Sequence, residues 1–193
     1  MAFLVGERVY LRAVQQSDAG ETYGGWLNDP EVTRYTESRF FPTTADKLRE
    51  YVRALEGSRD SIFLAIVDRR TQQHVGNIKL GPIDWIHRLG DIGLLIGDKS
   101  VWGRGYATEA IRLVSDYAFR RLNLHKLTAG CYSTNLGSIR AFEKAGFHEE
   151  ARRPRHYYSE GAYVDLVYLA AMNERERAEC ETETGPNRRN EAR

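Results

Sequence analysis

The chain has 193 residues, 41% of them hydrophobic and 28% charged, with a net charge of +1. That size and balance fit one domain with a real core and give no bulk electrostatic pull toward nucleic acid or anionic membrane. The two cysteines, Cys131 and Cys180, have no paired spacing, which argues against a disulfide framework or a metal site. The N-terminus, MAFLVGERVY, has no basic segment followed by a long apolar one, and no apolar run nears the roughly 18 residues of a membrane helix. The expectation is a cytoplasmic protein with neither nucleic acid nor membrane as partner.

In chain order, Glu7 to Val14 alternates apolar and polar residues, as a half-buried strand does. Ser17 and Asp18 offer N-cap chemistry for a helix to about Asn28, ended by Asp29-Pro30. Val32 to Pro42 has neither period; it is aromatic and charged, a functional loop or short helix. Thr44 opens a second helix with Leu48, Tyr51, Val52 and Leu55 at helical spacing, stopped by Gly57. Ser61 to Val67, Val75 to Leu80 and Gly90 to Ile96 are strand-like. A third helix follows from Ala107 to Arg121, with Ala107, Ala110, Ile111, Val114 and Ala118 on its apolar face. Leu127 to Tyr132 is a strand and Ser138 to Ala145 a short helix ended by Gly146. The last strands are about Phe147 to Ala151, Arg155 to Tyr158 and Tyr163 to Ala171.

Residues 1–173 therefore read as one α+β domain, and 174–193 as a charged, flexible tail. Its architecture is an α/β sandwich: a mixed, mostly antiparallel sheet of about seven strands with helices on both faces. An exposed edge strand is a candidate surface for a homodimer.

The segment VWGRGYATEA, Val101 to Ala110, carries the most information. It is a glycine-containing loop between a strand and a helix N-terminus, where unpartnered N–H groups and the helix dipole favour an anion. A nucleoside-triphosphate loop needs a lysine after Gly105, and none is there; the dinucleotide fingerprint needs a third small residue where Thr108 stands. A tight turn without a ligand is the bland reading of this segment alone.

The second block, NLGSIRAFEKAGF from Asn135 to Phe147, changes that. Together the two blocks resemble the GNAT superfamily of acetyl-CoA-dependent N-acetyltransferases. The family's pyrophosphate loop is Gln/Arg-x-x-Gly-x-Gly/Ala; here Gly105 and Ala107 match and Trp102 departs. Its second block is matched at Asn135, Ser138, Phe142, Lys144, Gly146 and Phe147. WGRGYATEA, LNLHK and EGAYVDLVYL resemble the branch of ribosomal-protein N-terminal, spermidine and nucleotide-amino-sugar acetyltransferases.

The resemblance implies acetyl-CoA as co-substrate, no metal, and transfer of an acetyl group to an amine by direct attack in a ternary complex. Cofactor contacts are expected from Leu95, Ile96, Trp102, Gly103, Arg104, Gly105, Tyr106, Ala107, Thr108, Asn135, Ser138 and Lys144. A backbone N–H around Leu94 to Ile96 is the expected donor to the developing oxyanion. An alkylammonium of pKa about 10.4 is neutral in roughly one molecule in 2,500 at pH 7, so a base is useful. Asp91 is the candidate base, with Asp84, His87 and His156 as rivals. The family's usual acid is a tyrosine where this chain has Phe142, which makes Ser138, one helical turn earlier, the candidate acid. Tyr35 and Arg39 in the early segment and His156 and Tyr157 in the late hairpin are expected to wall the acceptor site.

Three acceptors stay open: a small amine or amino sugar, a protein N-terminus, and a polyamine. Acidic and basic residues are mixed in the early segment, which argues against the polyamine, while its arginines and aromatics suit a nucleotide sugar or a peptide; the small amine or amino sugar is ranked first. Phe142 also leaves open a non-catalytic acetyl-CoA sensor or structural subunit.

Overall fold

The computed structural model describes residues 1–173. The tail expected over 174–193, and Cys180 within it, lies outside the described residues. The strands are β1 (Leu4–Val5), β2 (Val9–Ala13), β3 (Ile62–Asp68), β4 (His74–Asp84), β5 (Leu89–Ile96), β6 (Lys126–Tyr132), β7 (His148–Ser159) and β8 (Ala162–Met172). They form one sheet in the order β1-β2-β3-β4-β5-β6-β8-β7. Every neighbouring pair is antiparallel except β5 and β6, which are parallel.

Helices α1 (Glu21–Asn28) and α2 (Ala45–Leu55) cover one face, α3 (Tyr106–Arg120) and α4 (Leu136–Lys144) the other. Strand alternation makes this division. On β3, Ala65 and Val67 join Tyr23, Leu48 and Val52, while Leu64 and Ile66 join Ala110, Ile111 and Val114. The mixed, mostly antiparallel sheet with helices on both faces is the expected α+β class.

The sheet has eight strands, not about seven. The added one, β1, is a two-residue edge strand, too short to carry a period. The separate strands expected at Phe147–Ala151 and Arg155–Tyr158 are one strand, β7, interrupted by register shifts at Glu149/Ala151 and Arg153/Tyr157. Pro154 sits within the second irregularity, on a sheet edge where a missing N–H costs little.

The first helix also begins later than its cap chemistry suggests. Asp18 closes a short 3-10 turn at Gln16–Asp18, drawn there by Arg12 at 2.6 and 2.7 Å and by the Gln15 N–H. Thr44 caps α2 as expected, accepting from the Lys47 N–H.

Candidate active site

The site starts where the sheet splits. β5 and β6 pair only through Leu89–Lys126, Gly90–Leu127 and Asp91–Thr128. Beyond that, Ile92 to Ile96 pair with β4 alone, and Ala129 to Tyr132 with β8 alone. The two strands diverge into a wedge whose apex is Asp91 and Thr128; the Thr128 hydroxyl donates to Asp91 Oδ2 at 2.9 Å. Burial pushes the Asp91 carboxyl above its ordinary value, against the opposing effects of Thr128 and Lys79.

Counting in register past the apex sets Gly93 opposite Gly130, both exposed, on the face that carries Asp91. A Cβ on Gly93 would meet nothing, and one on Gly130 would lie 3.2 Å from Leu166 Cδ1 and 3.8 Å from the Tyr157 hydroxyl. The result is a slot of bare backbone with a half-buried carboxylate at its end.

Tyrosines wall this slot on the α1/α2 face. Tyr132 stacks on Tyr157 at 4.2 Å and 14°, and Tyr35 tilts against Tyr132 at 5.8 Å. Arg39 lies over Tyr132 and donates to the Tyr158 carbonyl at 2.7 Å, and Arg153 lies over Tyr168 at 5.0 Å. The early segment bridges both sides of the wedge. Lys99 pairs with Asp29 and Glu31 at its start, Tyr35 donates to the Thr134 carbonyl, and Arg34 pairs with Glu160 of the β7–β8 turn. His156 packs edge-on against Tyr157 and is otherwise exposed. The expected wall of Tyr35, Arg39, His156 and Tyr157 thus comes together. Of the rival bases, His156 stands in this wall, while Asp84 accepts from the Ile86 and His87 N–H groups within the β4–β5 turn.

On the opposite side the glycine loop leads into α3. Gly103 and Gly105 have φ of 74° and 83°, a region that glycine enters without a steric cost. Gly105 is the N-cap and has no side chain with which to cap. The first intrahelical bond is Glu109 N–H to the Gly105 carbonyl, so the N–H groups of Tyr106, Ala107 and Thr108 precede the ladder. Arg104 is exposed beside them.

Two side chains brace this loop. The Trp102 indole donates to the Ile96 carbonyl at 2.9 Å, so its one donor serves the strand rather than a phosphate. Tyr106 donates to the buried Asp68 at 2.9 Å. Burial alone would raise the Asp68 carboxyl, but Tyr106 and the N–H groups of Thr71 and Arg70 hold it below its ordinary value.

Strand parity sorts Leu94 to Ile96. The Gly97 N–H donates to Val75 on β4, so Leu95 turns its backbone to β4, while Leu94 and Ile96 turn theirs to the open edge. The Leu95 side chain packs in the α1/α2 cluster.

In the second block Asn135 Oδ1 accepts from the Ser138 N–H at 3.2 Å and so caps α4. The Ser138 hydroxyl lies 3.4 Å from the buried Cys131 sulfur. Phe142 is 2% exposed and packs on Phe147, so this position belongs to the core. Lys144 is exposed near the end of α4, and its carbonyl accepts from Arg112.

Sequence reading missed Thr128, Gly93, Gly130, Tyr132 and Tyr168. Alternation along LTAGCY places Thr128, Gly130 and Tyr132 on one face, which was the available signal; the loss of the β5–β6 ladder was not visible.

A sheet that splits between parallel strands, with an uncapped helix N-terminus on one side and a carboxylate slot on the other, defines an acyl-CoA N-acyltransferase fold. Residues 8–148 match the acetyltransferase (GNAT) domain, and the chain belongs to that family. Members of it are enzymes that acetylate amines with acetyl-CoA. The chain is 33% identical over 180 residues to the probable N-acetyltransferase YjcK of Bacillus subtilis (strain 168), covering 88% of this chain and 97% of that protein. Its fold matches RimL, a ribosomal L7/L12 α-N-protein acetyltransferase in complex with coenzyme A, with a TM-score of 0.80 at 18% identity over 89% of this chain and 98% of that one. It also matches spermidine N-acetyltransferase from Vibrio cholerae in complex with CoA and spermine, with a TM-score of 0.78 at 23% identity over 86% and 96%.

The residues present fit coenzyme A. Gly103 and Gly105 have open space above them, the first-turn N–H groups of α3 point past an N-cap without a side chain, and the β5 edge beyond Asp91 has no strand partner. Among the described residues no cluster of His, Cys, Asp or Glu could hold a metal ion, and no helix is long and apolar enough to cross a membrane.

Proposed function

We propose that the chain acetylates the primary amine of a small molecule, an amino sugar or another amine bearing anionic or polar groups. The observation that carries this is the slot at the wedge apex, with the Asp91 carboxylate at its end and bare Gly93 and Gly130 as its sides. Gly103 to Thr108 would hold the pyrophosphate through backbone N–H groups, with Arg104 beside them. The open edge at Leu94 and Ile96 would receive the pantetheine amides. Acetyl-CoA supplies the activated acetyl thioester. Asp91 takes the proton from the amine nitrogen, and Thr128 orients the carboxylate through its hydroxyl. The Leu94 N–H, on the open edge, would donate to charge developing on the acetyl oxygen.

The wall supports this acceptor class. A polyamine site needs several unpaired carboxylates; here Asp29 and Glu31 pair with Lys99, Glu160 pairs with Arg34, and Lys79, Arg39 and Arg153 stand against Asp91 and Glu37. The segment from Asp29 to Phe41, tied down on both sides of the wedge, narrows the mouth toward a small acceptor.

The test is thiol release from acetyl-CoA across a panel of amino sugars, nucleotide amino sugars, amino acids, spermidine and an N-terminal peptide. Turnover with an anionic or sugar amine is expected. Turnover confined to spermidine or to the peptide would overturn the acceptor reading, and tight CoA binding without any thiol release would overturn catalysis.

A further inference from the structure

We propose that Tyr157, carried on the edge strand β7, is the catalytic proton donor to the departing sulfur. The proposal rests on the reading of Asp91 as base and of the glycine slot as the amine site. With Phe142 locked in the core, α4 offers no phenol.

The phenols facing the wedge are not equivalent. Tyr35 spends its hydroxyl on the Thr134 carbonyl. Tyr132 is 6% exposed beneath its neighbours, and Tyr168 lies under Arg153. Tyr157 extends its hydroxyl over Gly130, at 3.8 Å from where a Cβ would stand, and that hydroxyl has no hydrogen-bond partner among the described residues.

Its aim is fixed. The ring is stacked on Tyr132 and flanked by His156 at 5.0 Å. The register slip between Arg153 and Tyr157, with Arg155 at φ 50° and its N–H donated to Asp165, sets the strand that presents it. Such irregularities re-aim side chains beside active sites. Burial, reinforced by Tyr132, Glu37, Tyr168 and Asp91, raises the phenol above its ordinary value and keeps it protonated at neutral pH.

The protons balance. As the C–N bond forms and the C–S bond breaks, the amine nitrogen gives one proton to Asp91 and the Tyr157 Oη gives one to sulfur. The Asp91 proton returns to the phenolate through water, and amide and free thiol leave.

The experiment uses Tyr157→Phe in the full chain, which keeps the stacked ring. Calorimetry compares coenzyme A with dethio-coenzyme A, in which hydrogen replaces the thiol. The wild type is expected to prefer the thiol by roughly 2- to 10-fold, the worth of one hydrogen bond, and the variant to lose that preference while binding dethio-coenzyme A normally. Its kcat is expected to fall by about 100-fold or more. Absence of a thiol preference in the wild type, an unchanged preference in the variant, or wild-type turnover overturns the proposal. An active Asp91→Asn beside an inactive Tyr157→Phe would instead overturn the base and leave the donor standing.

Discussion

As the proposed base, Asp91 joins two demands that oppose each other. A carboxylate half-buried at a strand branch is costly to ionise, yet only the ionised form accepts a proton. Burial raises its folded pKa above the unfolded value. The unfolded chain therefore loses this proton first as pH rises through the ordinary aspartate value of about 3.9, and stability falls from there until the folded group ionises too. Asp91→Asn keeps an acceptor for the Thr128 hydroxyl and removes the charge. It should melt at a higher temperature than the wild type at pH 7, with the two curves converging below about pH 4, while kcat falls by on the order of 100- to 10,000-fold. Melting curves at both pH values with a rate assay at pH 7 check this; a variant with lower stability at pH 7, or with full activity, counts against the assignment.

At the scale of elements, α3 must hold its N-terminus still while its first turn is left uncapped. The brace is Glu109, in the first turn of the helix. Its carboxylate accepts from the backbone N–H groups of Arg8 and Val9 at 2.9 and 3.4 Å and pairs with the Arg8 guanidinium at 3.3 Å. Gly6 lies so close that a Cβ there would run into this carboxylate. Glu109→Ala removes the acceptor for the start of β2 and should cost about 1–3 kcal/mol, read as a lower denaturant midpoint, with weaker coenzyme A binding as the helix start loosens. Glu109 reads in the sequence as a solvated helix face, because its partners lie about a hundred positions away. The same distance hid the wedge. LGDIGLLI and KLTAGCY are ordinary strands by composition, and their parting after Asp91 is a tertiary event. Caps and periods were legible where the deciding contacts were local, as with Thr44 on α2, the apolar stripe of α3 and the two blocks that point to coenzyme A. They misled where a distant partner intervened, as when Arg12 drew Asp18 out of a helix cap.

Across the whole molecule, one polar cluster joins four elements on the α1 side of the sheet. His74 of β4 meets Asn77 Oδ1 at 2.9 Å and lies 3.9 Å from Asp18, which Arg12 of β2 clamps; Trp26 and Tyr23 of α1 pack on the imidazole at 5.0 and 6.3 Å. Trp26 also lies directly on Gly97, so the cluster reaches the end of β5. Burial lowers the His74 pKa from its ordinary value, outweighing Asn77 and Asp18, which favour the charged ring, while Arg12 adds to the lowering. The sign then follows. Above the unfolded value of about 6.5 the imidazole is neutral in both states. As pH falls below it, the unfolded chain binds a proton that the folded chain refuses, and stability is lost until the folded ring protonates. The melting temperature of the wild type should therefore drop between pH about 7.5 and 5.5. His74→Gln, which keeps a polar group toward Asn77 but cannot titrate, should begin lower at pH 7.5 and fall less steeply. Equal slopes in the two proteins would place the acid sensitivity elsewhere. A flatter slope in the variant would assign the acid sensitivity to the neutral His74 packed under Trp26 and Tyr23.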